Sequence, residues 1–189
     1  MNTDRRTILT GAAAGLVAVP TMAMAQRRSL SASAMSMSTG NGANAGGDWQ
    51  AQILAHHRVL EQAFAASKEA RGPAARSAAE MHLVAVVAAH AGAEETAVYP
   101  TMVAVGMDPD GHQAYNEQVE VKIGFGELGA IPDKTSAAYD AKLEMLRAAV
   151  ADHMRHEEGQ WYPELKRRAN AKQNAAMTMH YRMDYARYL

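Results

Sequence analysis

Two stretches of the chain share one pattern of side chains. Residues 90–100 read HAGAEETAVYP, and residues 153–163 read HMRHEEGQWYP. Both follow the form H-x3-E-E-x3-Y-P, so five positions match at identical spacing. Internal self-similarity of this kind predicts two related helix pairs that face each other.

The spacing within each motif places a histidine and a carboxylate on the same helix face. Residues four apart lie about one helical turn apart, so His90 with Glu94, and His153 with Glu157, can reach one metal centre. Both pairs fall on apolar stripes, where a carboxylate is costly unless it is paired or binds metal. The pattern favours a metal site. The alternative, in which the two glutamates form salt bridges with buried histidines, stays open.

The other positions of the motif are expected to support this arrangement. Glu95 and Glu158 lie about 100° around the helix from the preceding glutamates, which predicts exposed side chains or hydrogen-bonding partners of ligands. Tyr99 and Tyr162 are expected to cap the core near one end of the bundle. The proline after each tyrosine is expected to kink or loosen its helix.

The first helix offers two further histidines. His57 precedes Leu60 by three residues and Phe64 by seven, which predicts that it faces the core. His56 is offset by about 100° and is expected on the polar surface or as a partner or weak ligand near the metal.

The third helix repeats this local pattern with one change. Gln118 precedes Val121 by three residues and Phe125 by seven, so an amide stands where the first helix has its core-facing histidine. An amide oxygen is a far poorer iron ligand than imidazole. Glu117 and Glu120 are candidates for compensation as weak ligands, although their ordinary place is the solvated face, and Gln118 is a candidate hydrogen-bonding partner.

The remaining pattern predicts an all-α fold. Helices are expected over residues 49–70, 73–103, 112–128 and 134–169, separated by breaks rich in glycine and proline. Short connections imply an up-down-up-down antiparallel four-helix bundle over residues 49–169. Residues 170–189 show no clear stripe and are expected to form a docked or loose tail.

The N-terminal part has the features of an export signal. Arg5 and Arg6 precede a short apolar run, and Ala23-Met24-Ala25 offers a small-x-small cleavage site. Residues 1–25 are therefore predicted to be a signal peptide of the twin-arginine type, which implies export to the periplasm and no membrane span after cleavage. Residues 26–48, rich in Ser, Gly, Ala, Asn and Met, are predicted to be a flexible linker.

Composition limits the chemistry. The chain has no cysteine, so thiolate metal sites and disulfides are excluded, and nitrogen and oxygen ligands suit iron, manganese or zinc. A net charge of −1 gives no electrostatic case for nucleic acid as a partner. A less favoured metal reading places copper in the tail, on Met177, Met179, His180 and Met183.

Three more histidines are assigned to the surface or to partners of ligands: His82, His112 and His156. His112 stands near the start of the third helix and is a candidate replacement for the missing ligand if the helix register differs.

The motifs together resemble the hemerythrin family, in its HHE cation-binding branch. The resemblance covers about residues 50–168 and is carried by the sequence AHHR at residues 55–58 and by the two repeated motifs. It implies a four-helix bundle with a non-haem di-iron centre. By this resemblance Glu94 and Glu157 bridge the ions, His57 and His90 bind one iron, and His153 binds the other.

The number of bound ions and the function both stay open. The family usually has a histidine where this chain has Gln118. The site could therefore hold a single ion, or a second ion that is bound weakly and completed by water or glutamate. The favoured role is binding or sensing of oxygen or nitric oxide. The alternatives are an enzyme acting on peroxide or nitric oxide or a protein of iron storage or iron-centre maintenance, and a structural bundle that has lost its metal. The absence of cysteine and the export signal lower the maintenance option.

Overall fold

The computed structural model describes residues 47–189, and the ordered elements in this range are helices. Their bounds are α1 Trp49–Glu69, α2 Pro73–Ala97, α3 Tyr99–Ala104, α4 Asp108–Ala130, α5 Ala137–His156, a π-helical turn Glu157–Trp161, α6 Tyr162–Arg168 and α7 Ala171–Tyr188. The all-α prediction is confirmed, and the up-down-up-down order stays a prediction. The proposed signal peptide and the linker up to residue 46 lie outside the described residues.

The helix starts follow from capping chemistry. Asp48 caps α1 by accepting a hydrogen bond from the Ala51 amide at 3.1 Å, and Ser136 caps α5 through the Tyr139 amide at 3.2 Å. Both side chains satisfy amides that have no partner within the helix. The fourth predicted helix, expected from residue 134, therefore begins three residues later.

The start of α4 corrects the predicted third helix. The prediction took the cluster around Pro109 as a break and began the helix at residue 112, whereas α4 begins at Asp108. A proline in the first turn loses no helical hydrogen bond, and carboxylates at Asp108 and Asp110 suit the positive end of the helix dipole. The chain instead turns at Gly106, whose φ of 79° favours glycine.

Each of the two motif helices is interrupted at or just after its second ligand residue. α2 ends at Ala97 and α3 begins at Tyr99, while α5 passes through the π-helical turn before α6 begins. Pro100 and Pro163 stand in the first turns of α3 and α6. Because proline has no amide hydrogen to donate to the residue four positions earlier, the regular hydrogen-bond pattern cannot continue through it.

The predicted tail is a further long helix. Asn170 and Gln173 form a reciprocal capping box at the start of α7. Its buried face consists of Met177, Tyr181 and Tyr185, spaced by four residues, and it packs against α1 and α2. This helix places aromatic side chains beside the polar centre described below.

The core has two apolar clusters with a polar layer between them. One is rich in aromatic residues, including Trp49, Tyr99, Trp161 and Tyr162, and the other is mostly aliphatic. The polar layer contains one buried residue from each of four helices, and each of them lies along the chain between members of the two clusters. These residues are His57, His90, Gln118 and His153. Among the helices of residues 47–189, none is long and apolar enough to cross a membrane.

Candidate metal centre

Four side chains from three elements meet inside the bundle. Potential ligand atoms of His57 on α1, His90 and Glu94 on α2, and Glu157 at the start of the π-helical turn all lie within 4.8 Å of one another. Both glutamates have 0 % exposure. Two buried carboxylates and two imidazoles at such distances form a nitrogen and oxygen donor set that suits a transition metal.

Three of the potential ligand atoms in this cluster lack hydrogen-bond partners. His57 Nε2, His90 Nε2 and Glu157 Oε2 are buried and make no hydrogen bond, although His57 Nε2 lies 3.2 Å from Glu157 Oε2 and His90 Nε2 lies 3.2 Å from Glu94 Oε2 as ion pairs. Buried polar atoms without hydrogen bonds are rare and costly. Their convergence on one point fits a metal ion, and the residues present therefore suit the group that the sequence implies.

Each histidine is held from its other side. The Nδ1 atom of His57 lies 2.6 Å from Glu158 Oε1, and that of His153 lies 2.7 Å from Glu117 Oε2. The Nδ1 atom of His90 lies 3.1 Å from the Tyr181 hydroxyl. A partner at Nδ1 fixes the ring and leaves Nε2 for a metal, as is usual for metal-binding histidines.

The side of the centre near His153 is built differently. His153 Nε2 lies 3.2 Å from Glu157 Oε1 and 3.1 Å from the Tyr99 hydroxyl. Gln118 donates from Nε2 to Glu94 Oε2 at 2.8 Å and to the Tyr99 hydroxyl at 2.6 Å. Gln118 thus acts as a hydrogen-bond donor to a carboxylate, and His153 is the only histidine directed at this side among the described residues.

Two tyrosines reach further into the centre than the sequence analysis expected. The Tyr99 hydroxyl donates to Glu157 Oε1 at 2.9 Å, and the Tyr162 hydroxyl donates to Glu94 Oε1 at 2.6 Å and also to Glu157. Both tyrosines are buried in the core, as expected, and their hydroxyls in addition contact the two carboxylates. Five residues turn about 140° around a regular α-helix, so helical spacing alone did not predict this contact. The interruptions after Ala97 and His156 bring the hydroxyls back toward the carboxylates.

Burial and neighbouring charges divide the protons unevenly between the two carboxylates. Burial raises the pKa of Glu94 to about 8, with the charge on Glu157 adding to the effect. Burial also opposes ionisation of Glu157, but its ion pairs with His153 and His57 hold its pKa well below the ordinary value. The metal-free centre thus holds one neutral and one charged carboxyl group.

The histidines are divided in the same way. Burial lowers the pKa of His57 and His153, but ion pairs with Glu157 outweigh this and raise them to about 9 and about 10. Burial, with the charge on His57, lowers the pKa of His90 well below its ordinary value. The two imidazoles with raised pKa values face the same buried carboxylate, Glu157.

His56 is buried, which excludes the predicted surface position. Its Nδ1 lies 2.8 Å from the Tyr181 hydroxyl, and its ring stacks on Tyr185 with centroids 3.6 Å apart. The same Tyr181 hydroxyl contacts both His56 and His90. His56 is therefore connected to the centre through Tyr181, in agreement with the alternative that it lies near the metal ligands.

The other candidate residues lie away from the centre. Glu120, His82 and His112 are exposed, so neither Glu120 nor His112 replaces the missing third-helix ligand. His156 contacts Glu117 at 3.0 Å, and Glu95 pairs with Lys122. In the tail, Met177 is buried while Met179, His180 and Met183 are exposed, so these four side chains do not gather for copper.

A small cavity adjoins the centre. It has a volume of about 20 Å³ and is bordered by His90, Gln118 and His153. Its other walls are mainly apolar, formed by Leu60, Val87, Ala91, Val121, Val150 and Met154, and Lys122 also lines it. The volume is sufficient for a molecule of about the size of water.

Comparison with protein families agrees with this geometry. The model of the hemerythrin HHE cation-binding domain matches residues 50–165, well over half of the 189-residue chain. The chain belongs to the hemerythrin family. Neither the curated proteins nor the solved structures gave a match. The match to the hemerythrin HHE domain includes the four gathered ligand candidates and His153, and it ends before α7 begins.

Proposed function

We propose that this protein binds non-haem iron between its two motifs and uses it to bind or sense oxygen or nitric oxide. The observation that carries the proposal is the convergence of His57 Nε2, His90 Nε2 and Glu157 Oε2, which are buried and without hydrogen bonds. A bound iron ion would supply an open coordination position for a diatomic ligand.

The side chains favour one strong ion position and one weaker one. His57 and His90 supply two imidazoles to the first position, and Glu94 and Glu157 stand next to it. The second position has one imidazole, from His153, near the same carboxylates. Because imidazole binds iron much better than an amide does, we expect the first position to bind more tightly.

The cavity supports a small ligand rather than a large substrate. Its volume of about 20 Å³ admits a molecule of about the size of water, and its walls are mainly apolar apart from Lys122 and the polar residues of the centre. Gln118 lies at its border with a buried Oε1 that makes no hydrogen bond. The amide could rotate to offer its NH2 group or its oxygen to a ligand in the cavity.

The test is exposure of the protein, loaded with Fe²⁺ without oxygen, to oxygen and separately to nitric oxide. We expect a visible absorption change that reverses when the gas is removed. Val121→Trp, which places a large ring on the cavity wall, should weaken the change with iron content unchanged. A matched Val119→Trp variant, at an exposed position on the same helix, should behave as wild type. Loaded protein without any absorption change would exclude gas binding.

Catalysis is the second candidate, because the Tyr99 and Tyr162 hydroxyls touch the central carboxylates and such groups can hold a proton near a reacting molecule. Addition of peroxide or nitric oxide with assay of the products separates the two roles. Sustained consumption by catalytic amounts of protein would indicate an enzyme. A single stoichiometric change would indicate binding.

We also propose export through the twin-arginine pathway, supported by Arg5 and Arg6 before an apolar run and by the small residues Ala23 and Ala25. The full chain should be recovered from the periplasm of a bacterial host, shortened by about its first 25 residues. Arg5→Lys with Arg6→Lys should retain it in the cytoplasm. Unchanged export of that variant would exclude this pathway.

A further inference from the structure

We infer that α7 is a working part of the metal centre, and that Tyr181 is the positioning residue that sets the orientation and tautomer of His90. The inference rests on the proposed iron site and adds a residue to it. α7 lies beyond the part of the chain that matches the hemerythrin HHE domain.

The contact is direct and buried. The Tyr181 hydroxyl lies 3.1 Å from His90 Nδ1 and 2.8 Å from His56 Nδ1. Tyr181 has 0 % exposure, and His90 and His56 are also buried. This contact holds the His90 ring at Nδ1, on the side opposite the Nε2 atom that faces Glu94.

The hydrogen bonds have one consistent direction when a metal is bound. Nε2 of His90 faces the ligand cluster, so the ring hydrogen resides on Nδ1 and is donated to the Tyr181 oxygen. The phenol hydrogen is then free to be donated to His56 Nδ1. Removal of the Tyr181 hydroxyl would leave the buried Nδ1 hydrogen of His90 without this acceptor, and the ring could rotate or change tautomer.

This residue supplies what a carboxylate supplies to the other two histidines. His57 and His153 lie against Glu158 and Glu117, whereas His90 lies against a neutral phenol. A neutral partner preserves a neutral imidazole, which is the form that binds metal.

The attachment of α7 does not depend on Tyr181 alone. Trp49 donates from its backbone amide to Thr178 Oγ1 at 3.1 Å and from its ring to Asn174 Oδ1 at 2.8 Å. Thr96 donates to Asp184 Oδ2 at 2.8 Å. Tyr181→Phe should therefore leave the helix in place, and Thr178→Val weakens its attachment without touching His90.

The experiment compares full-length wild type with Tyr181→Phe, Tyr185→Phe and Thr178→Val. Fe²⁺ affinity is measured without oxygen by competition with a coloured chelator, the visible absorption of the Co²⁺-loaded protein reports ligand geometry, and thermal unfolding of metal-free protein reports stability. Tyr181→Phe should weaken Fe²⁺ binding by roughly ten- to a hundredfold, the usual effect of losing a partner of a metal-binding histidine. It should also alter the Co²⁺ spectrum.

The controls separate position from stability. Tyr185→Phe removes a hydroxyl from the same helix, whereas the hydroxyl at His90 Nδ1 is that of Tyr181, so this variant should bind Fe²⁺ as wild type does. Thr178→Val should lower the unfolding temperature with an unchanged Co²⁺ spectrum. Wild-type affinity and spectrum in Tyr181→Phe would overturn the inference while leaving the iron site intact. Failure of wild type to bind either ion would instead overturn the proposed function.

Discussion

The two motifs have the same spacing but build two different sides of one centre. On the α2 side, His90 is joined by His57 from α1, and both direct Nε2 at the carboxylates. On the side of α5 and the π-helical turn, His153 faces Gln118, whose amide donates to Glu94 and Tyr99. The comparison teaches that the motif sets where the ligands lie, while the neighbouring helix decides how many imidazoles each position receives.

The largest effect is expected when the first side is made like the second. His57→Gln replaces an imidazole by an amide at the stronger position. Because loss of a mere partner already costs about ten- to a hundredfold in affinity, loss of this ligand should weaken Fe²⁺ binding by more than about a hundredfold. Chelator competition without oxygen measures it. The control Arg58→Gln, at an exposed neighbour, should bind as wild type, and an equal effect of His153→Gln would contradict the asymmetry.

The reverse exchange should make the second side like the first. Gln118→His adds an imidazole beside His153 and should increase the iron bound per chain or its affinity. Elemental analysis after loading measures the change. Glu120→His, exposed on the same helix, is the control and should add no ion in the core. An unaltered iron content in Gln118→His would show that this position does not face the second ion.

Substitution of the carboxylates that hold the histidines should weaken each ion position separately, by less than the loss of a ligand does. Glu158→Gln removes the carboxylate beside His57, and Glu117→Gln removes the one beside His153. Each should weaken its own side by roughly tenfold or more. Glu158→Gln should therefore affect the tighter Fe²⁺ binding step, and Glu117→Gln the weaker one. Identical titration curves for the two variants would argue against separate positions.

The smallest expected effect is on stability against pH. Raised pKa values of about 9 for His57 and about 10 for His153 mean that protonation favours the folded, metal-free protein. This stabilisation is complete below the ordinary histidine pKa of 6.5 and is lost as pH rises through about 9 to 10. Glu94, with a pKa raised to about 8, acts in the same direction from its ordinary 4.5 upward.

Thermal unfolding at pH 6.5 and pH 9, followed by circular dichroism, checks this expectation. The unfolding temperature of metal-free protein should fall over this interval. The unfolding temperature of metal-loaded protein should fall less, because its ligands are already deprotonated at the lower pH. Parallel decreases with and without metal would contradict the assignment of these protons to the centre.

The sequence was sufficient to predict the polar face of the bundle. Helical spacing placed His57, His90 and Gln118 on apolar stripes, and all three are buried. Helical spacing did not determine the exact helix ends, because Pro109 can either break a helix or begin one. Helical spacing also did not predict which side chains reach the carboxylates, since the Tyr99 and Tyr162 hydroxyls contact them only because of the breaks that follow α2 and α5.

The contribution of α7 was the main feature that the sequence analysis missed. Its buried face is narrow, with Met177, Tyr181 and Tyr185 at intervals of four residues, and tyrosine is a weak signal of burial because it is amphipathic. That interval was nevertheless a helical signal. The close packing of α7 on α2 was visible only in the structure, where a β-carbon on Gly92 would lie 2.9 Å from the Tyr188 ring.

The central claim is that both motifs contribute ligands to one iron site, and iron content tests it most directly. Wild type and a Glu94→Gln, Glu157→Gln double variant are loaded with Fe²⁺ without oxygen, passed through a desalting column and analysed for iron per folded chain. The account predicts at least one iron per chain in wild type and almost none in the double variant, with both proteins helical by circular dichroism. Equal iron in the two proteins, or none in folded wild type, would contradict it.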